Sequence, residues 1–239
     1  MILYATLALS VLAAAALVVR YDMYDREPPA LLALAMGLGA GAMAAAGLLE
    51  EWTLGGQRIT GEAGIAAVAA VEEESLKLLV VGVIALLFRR TFNDPMDGII
   101  YGSMSGAGMA LEESLHVLGA SQAQGSLPPV ELVRLCGHLV MGGISGFPLG
   151  LARLRHPAWP GALAGCVLCA TGLHFGWDWI ALTAPASGQL SPGQAALGVA
   201  LMLAGLCLYG TLVALSSRWS HDLFAPWRPA RLWGWPFRP

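Results

Sequence analysis

Charge is scarce in this sequence. Asp, Glu, Lys and Arg make up 12% of its 239 residues, about half the share usual in soluble domains. An ordinary solvated globular surface is thereby excluded. Paired metal-ligand cysteines are also missing. Cys136, Cys166, Cys169 and Cys207 all fall in apolar runs, and we read them as buried thiols; the C-x-x-C at Cys166 and Cys169 lies in mid-span with no other redox feature beside it. There is no H-E-x-x-H, no G-x-S-x-G, no Ser/His pairing inside the apolar runs and no Asp pair set across two of them. The first apolar run has no basic residues ahead of it and is followed by Arg20, so it reads as a span and not as a signal peptide. No internal repeat is evident.

What is abundant is apolar length. Hydrophobic residues are 56% of the chain and mean hydropathy is +0.65. The expectation is an all-α, polytopic transmembrane helix bundle, a single integral-membrane domain over residues 1–239 with the lipid bilayer as its surroundings. The net charge of −3 says little, and no nucleic-acid partner is expected. Seven spans are predicted: 2–19, 30–49, 61–88, 97–119, 130–151, 158–182 and 195–215. A tail over 216–239, rich in Trp, Arg and Pro, follows them and suits the headgroup layer.

Arginine orients the bundle. Arg20, Arg26, Arg89, Arg90, Arg153, Arg155, Arg218, Arg228, Arg231 and Arg238 fall in alternate connections and the tail, whereas the opposite connections hold only Arg58. By the positive-inside rule the N-terminus is outside and the C-terminus cytoplasmic. Glycines recur four apart at Gly98, Gly102 and Gly106, at Gly142, Gly146 and Gly150, at Gly161 and Gly165, and at Gly172 and Gly176. Such stripes predict close packing among the fourth, fifth and sixth spans.

Against this background one stretch stands out. Val71 to Lys77 reads VEEESLK inside a span otherwise built of Ala, Val, Leu, Ile and Gly. Charges in such a place are costly and usually functional. Glu73 and Glu74 lie four and three residues before Lys77, on a shared helical face. One lysine does not balance these adjacent carboxylates. A single buried ion pair would be read as packing, but the surplus negative charge favours a site. The fourth span adds Glu112, Glu113 and His116, the fifth Arg134 and His138, the sixth His174 and Asp178. Glu112 and His116 are assigned to the outer interface, and Arg134 is read as a counter-ion to the glutamates. At ~1.5 Å per residue, Glu73 lies roughly 16 Å below the outer face and His138 roughly 10 Å, while Glu113 and His174 stand about 24 Å up from the inner face. All four then meet in the outer half of a core of about 30 Å, which argues for one cavity.

A carboxylate held away from water can take a proton from a water molecule near neutral pH. A histidine can hold an oxyanion or protonate a leaving amine. Glutamate and histidine can equally ligate zinc. Hydrolysis by a Glu-activated water is the chemistry these residues allow. The competing classes are a proton- or ion-coupled transporter, which the missing repeat disfavours, and a catalytically inactive membrane scaffold.

These residues carry a resemblance. Glu73-Glu74-Ser75-Leu76-Lys77, Asp97-Gly98-Ile99-Ile100-Tyr101-Gly102, Met109 to Glu113, Arg134 with His138, and His174-Phe175-Gly176-Trp177-Asp178 follow one another on successive spans. Together they resemble the PrsW family of bacterial intramembrane proteases, relatives of the CAAX prenyl proteases, over roughly 61–179. Met109 stands where the family usually has Phe, Ser114 where Asn often follows the glutamate, and Asp178 where many relatives have Asn.

The resemblance implies a catalytic core over 61–182 that cleaves a peptide bond in or beside a membrane segment of a membrane-anchored substrate, often an anti-sigma factor, in the bacterial cytoplasmic membrane. By carry-over Glu73 is the general base, with Glu74 and Glu113 positioning water or metal. His138 and His174 stabilise the oxyanion or ligate a metal, Asp178 must be protonated to do the same or act through His174, and Lys77 and Arg134 compensate charge. If a metal such as Zn2+ takes part, Glu113, His138 and His174 are its expected ligands; the sequence makes no cofactor certain.

Overall fold

The computed structural model describes residues 2–20, 25–55, 59–121, 125–185 and 190–224. They form seven helices: α1 (Ile2–Val19), α2 (Pro29–Leu54), α3 (Glu62–Leu87), α4 (Pro95–Ala120), α5 (Pro129–Arg153), α6 (Trp159–Leu182) and α7 (Pro192–Phe224). No strand occurs among the described residues. By length and composition, α1, α2, α5 and α7 qualify as membrane spans. The other three carry most of the ionisable residues singled out above, which lower their hydropathy. Their outward faces remain apolar, with Val71, Leu79, Leu86, Val117 and Leu168 exposed. That pattern suits lipid outside and polar groups inside.

The expected all-α membrane bundle is the fold observed. Helix starts follow proline chemistry: Pro29, Pro95 and Pro129 open their helices, where a missing N–H costs nothing. Asp94 caps α4 and forms a reciprocal capping box with Asp97.

The centre is the α4–α5 pair. A methyl group on Gly98, Gly102 or Gly106 would collide with the backbone of Gly146, Gly142 or His138 respectively. The two backbones therefore touch without side chains between them, as membrane helices with small residues allow. The Asp97–Gly102 motif serves this architecture. The Asp97 carboxylate accepts from Asn93 N at 2.5 Å and Asp94 N at 2.8 Å, and the buried Tyr101 hydroxyl donates to Glu27 ahead of α2.

Several expectations need correction. Nothing lies within 4 Å of a Cβ at Gly161, Gly165 or Gly172, and only Gly176 of the α6 stripe meets a neighbour, the Leu201 side chain of α7, so the stripe does not pack α6 on α4 or α5. Instead Gly39 and Gly108 bring α2 against α4, at the backbone of Ser105 and Met36 respectively. Only Cys166 is buried among the four cysteines, and Cys169 and Cys207 are exposed on the outer faces of their helices. Glu50 to Leu54 continue α2 and are not loop, and α7 runs on to Phe224. The expected tail loses its first part, and Trp219 stacks on Phe147 and His156. The rest of that tail, with Trp227, Trp233, Trp235, Arg228, Arg231 and Arg238, lies outside the described residues, as does Arg58.

Candidate active site

Helix α3 sets the site. Its inward face buries Glu73, Glu74 and Lys77, because positions three and four apart share a face. Glu72 turns aside and accepts a hydrogen bond from Thr53 Oγ1 on α2 at 2.8 Å. Lys77, fully buried, pairs with Glu74. The same Glu74 oxygen lies 2.9 Å from His174 Nδ1 on α6. A carboxylate already bound to an ammonium can only accept, so His174 Nδ1 carries the hydrogen and Nε2 presents a lone pair.

The fifth helix repeats this arrangement. Arg134 Nε lies 3.0 Å from Glu113 Oε1 on α4 and pairs as well with Glu131. Glu113 Oε2 in turn lies 3.1 Å from His138 Nε2. His138 Nε2 therefore carries its hydrogen, and Nδ1 presents a lone pair. Each histidine is fixed by a carboxylate that is itself held by a cation, an arrangement that fixes tautomer and ring direction together.

Both lone pairs face Glu73. Its Oε2 is 3.8 Å from His138 Nδ1 and 3.6 Å from His174 Nε2. The two rings meet edge to face, centroids 5.2 Å apart. Neither Glu73 Oε2 nor His138 Nδ1 has a hydrogen-bond partner, although both are buried. Asp178 Oδ2 lies 3.5 Å from His174 Nε2 at the edge of the cluster.

The sequence thus named residues that the fold gathers from four helices: Glu73, Glu74 and Lys77, Glu113, Arg134 and His138, His174 and Asp178. Glu112 is half-buried and His116 exposed, outside the cluster. A surface pocket along Leu86 to Thr91, at the C-terminal end of α3, is lined by none of these residues.

The family described as PrsW family intramembrane metalloprotease matches residues 27–214. The chain belongs to the PrsW family. It is a membrane-embedded protease. No curated protein and no solved structure matches it.

PrsW-family membership implies a metal, and the residues present fit one. Glu73, His138 and His174 each offer one donor atom, all within 4.8 Å of one another. Three acceptors converging on one point without a donor between them repel each other, and a cation there removes the repulsion. One carboxylate and two imidazoles are a zinc-type donor set. Glu113, expected beside the two histidines, lies 3.1 Å from His138 Nε2, and the carboxylate that comes together with His138 Nδ1 and His174 Nε2 is Glu73.

Two residues of this PrsW-family site escaped the sequence reading. Glu131, 1% exposed, pairs with Arg134, and its position three before Arg134 was the available signal. Glu50 lies in the last turns of α2, three residues before the Thr53 that bonds Glu72, which brings it to the α3 side of that helix. It was missed because two consecutive glutamates after an apolar run look like a loop.

Proposed function

We propose that the chain hydrolyses a peptide bond in or next to a membrane segment of a protein substrate, of the anti-sigma-factor type, in the bacterial cytoplasmic membrane, with its hydrolytic core over residues 61–182. The single observation that carries this reading is the convergence of Glu73 Oε2, His138 Nδ1 and His174 Nε2. Among the three site glutamates only Glu73 is without a cation of its own: Glu74 has Lys77 and Glu113 has Arg134. Glu73 is therefore the carboxylate left to take a proton.

A divalent ion, Zn2+ by donor chemistry, would be held by Glu73, His138 and His174; when bound it supplies a water of lowered proton affinity and polarises a carbonyl. One carboxylate oxygen cannot both ligate and accept a proton, so the two duties fall to the two oxygens of Glu73. Glu74 and Glu113 hold the imidazoles in the tautomers that face the water. Lys77 and Arg134 keep those carboxylates ionised inside the bilayer. The proton that Glu73 takes from the water goes on from Glu73 to the leaving amine, since His174 Nε2 would face the ion and its Nδ1–H is held by Glu74, with Asp178 3.5 Å from that ring. The buried floor of the site excludes bulk water, which strengthens each of these interactions.

The test is cleavage of a single-span peptide by the purified protein in lipid nanodiscs, with and without a chelator. Cleavage that stops with chelator and returns with Zn2+ supports the reading. A Glu73→Gln protein cleaving at the wild-type rate sinks it.

A further inference from the structure

About 20 Å along α3 from Glu73, the apolar run stops and arginine begins. Leu86 and Leu87 are exposed, and Arg89 and Arg90 follow them into the turn before α4, exposed as well. With Phe88 and Thr91 these residues line a surface pocket of about 420 Å³. Arg153, the last residue of α5, crosses to the same turn. Its Nε donates to Phe92 O at 3.0 Å and its Nη2 to Arg89 O at 2.8 Å. Arg89 Nε in turn donates to Leu86 O at 3.2 Å. The ends of two helices thus bring three arginines to one turn.

None of these arginines meets a carboxylate. The lysine and arginine ion pairs among the described residues belong to Lys77 and Arg134. The acids of this region are occupied elsewhere. Asp94 and Asp97 are buried in the capping box of α4, and Asp25 Oδ2 accepts from Asn93 Nδ2 at 2.8 Å. Arg153 uses only part of its donor fork on backbone carbonyls, which leaves further N–H groups for an outside acceptor. Guanidinium groups gathered without counter-charge repel one another, and an anion set among them removes the repulsion. The planar fork matches a phosphate. The leucines decide what carries that phosphate. At 63% and 71% exposed, Leu86 and Leu87 place the turn where acyl chains give way to headgroups. A soluble anion gains nothing from such a wall, whereas a phospholipid covers it with a chain.

We propose that the turn between α3 and α4, with the end of α5, binds an anionic phospholipid, its phosphate on Arg89, Arg90 and Arg153 and an acyl chain along Leu86 and Leu87. Basic pockets at helix ends on the cytoplasmic side take such headgroups, and the positive-inside rule puts this turn on that side. The bound lipid joins the ends of α3 and α5, the helices that carry Glu73 and His138. It braces the bundle from the face opposite the donor cluster and takes no part in hydrolysis.

The experiment uses the full chain, delipidated in a non-ionic detergent. Phosphatidylglycerol and phosphatidylcholine with the same acyl chains are added in turn. Native mass spectrometry counts bound lipid and gives Kd, and thermal unfolding gives a midpoint for each lipid. The expected result is one phosphatidylglycerol bound at least about tenfold more tightly than phosphatidylcholine, with a higher midpoint for the anionic lipid alone. Arg90→Gln should weaken phosphatidylglycerol about fivefold. Arg90→Gln/Arg153→Gln should erase the preference. Arg155→Gln/Arg218→Gln removes as much charge and should keep it, since Arg155 makes no bond to this turn and α7 does not pack on α3. The preference should weaken as salt rises from about 50 to about 500 mM, because exposed charges are screened.

Equal binding of the two lipids overturns the proposal, and so does a preference that survives in Arg90→Gln/Arg153→Gln or disappears in the Arg155→Gln/Arg218→Gln control. Displacement of phosphatidylglycerol by glycerol phosphate, or by a soluble acidic peptide, at equal concentration overturns it too, since the apolar wall then contributes nothing. Arg153 also holds backbone carbonyls, so its loss can unfold the turn. Arg90→Gln avoids that, because no bond within the described residues needs its side chain, and the comparison of lipids on the wild-type chain needs no variant.

Discussion

His174 Nδ1 lies 2.9 Å from Glu74 Oε1, and this bond turns the opposite ring nitrogen toward Glu73 Oε2, 3.6 Å away. Two consecutive glutamates thus act on the same imidazole from its two sides. Helix geometry makes this feasible because α3 and α6 pack side by side, so neighbouring residues of α3 can flank one ring of α6. The bond to Glu74 decides which atom of His174 is available, and the orphaned Glu73 oxygen decides what it is available for.

Replacing Glu73 by Gln should abolish proteolysis, by at least about 10³-fold, because the amide cannot take a proton and weakens any ion held there. Folding and insertion should persist, and thermal stability should hold or rise, since an uncompensated buried carboxylate has been removed. Peptide cleavage and a detergent unfolding curve check both halves. Asp178→Asn should be mild by comparison, because it lies at the edge of the cluster and its amide keeps a polar partner for His174.

Lys77→Met should destabilise the bundle by about 3–5 kcal/mol, because it leaves Glu74 ionised and buried without its ammonium. Adding Glu74→Gln should restore most of the stability. It should not restore activity, since an amide fixes the imidazole less firmly, a change typically worth about 10–100-fold. Unfolding midpoints read against cleavage rates separate the two effects.

Metal content should follow the donor set. Purified wild-type protein should retain a divalent ion through dialysis, and His138→Ala and His174→Ala should lose it. Glu113→Gln should retain the ion but bind it about 10–100-fold more weakly, since it acts through the far nitrogen of His138. Elemental analysis and competition with a chromogenic chelator measure this. Ion content that falls in Glu113→Gln as completely as in the histidine variants would return Glu113 to the ligand set.

Gly102→Ala should cost about 1–3 kcal/mol or more, because its methyl meets the Gly142 carbonyl, which cannot move without parting α4 from α5. Gly165→Ala, where the space is open, should be neutral or slightly stabilising. The pair of unfolding curves tests whether close backbone approach, and not glycine content, holds the centre.

Orientation can be checked directly. With the N-terminus outside, an alkaline phosphatase reporter inserted at Gly125 should be active and one fused behind Phe224 silent. Both reporters on the same side would refute the seven-span topology.

Composition and hydropathy alone determined that this chain is a helical membrane bundle, because only helices can satisfy every backbone group of such apolar segments in lipid. The rarity of charge made Glu73, Glu74, Lys77, Glu113, His138 and His174 legible, since each carries a cost in the bilayer that packing rarely justifies. The ends of α2 and α7 were not legible. Polar residues at a helix end look like loop in sequence, and the contacts that hold those turns, Thr53 to Glu72 and Trp219 on Phe147, come from other helices. The glycine stripes were equally ambiguous: the same four-residue spacing is a contact in α4 and open space at Gly161, Gly165 and Gly172 of α6, because spacing fixes a face and not what lies opposite it. Tertiary structure alone decided the division of labour among the acids. Glu73, Glu74 and Glu113 have the same side chain and much the same apolar setting. They differ in which cation and which imidazole nitrogen each one meets, and those partners come from other helices, at distances in sequence that no local pattern records.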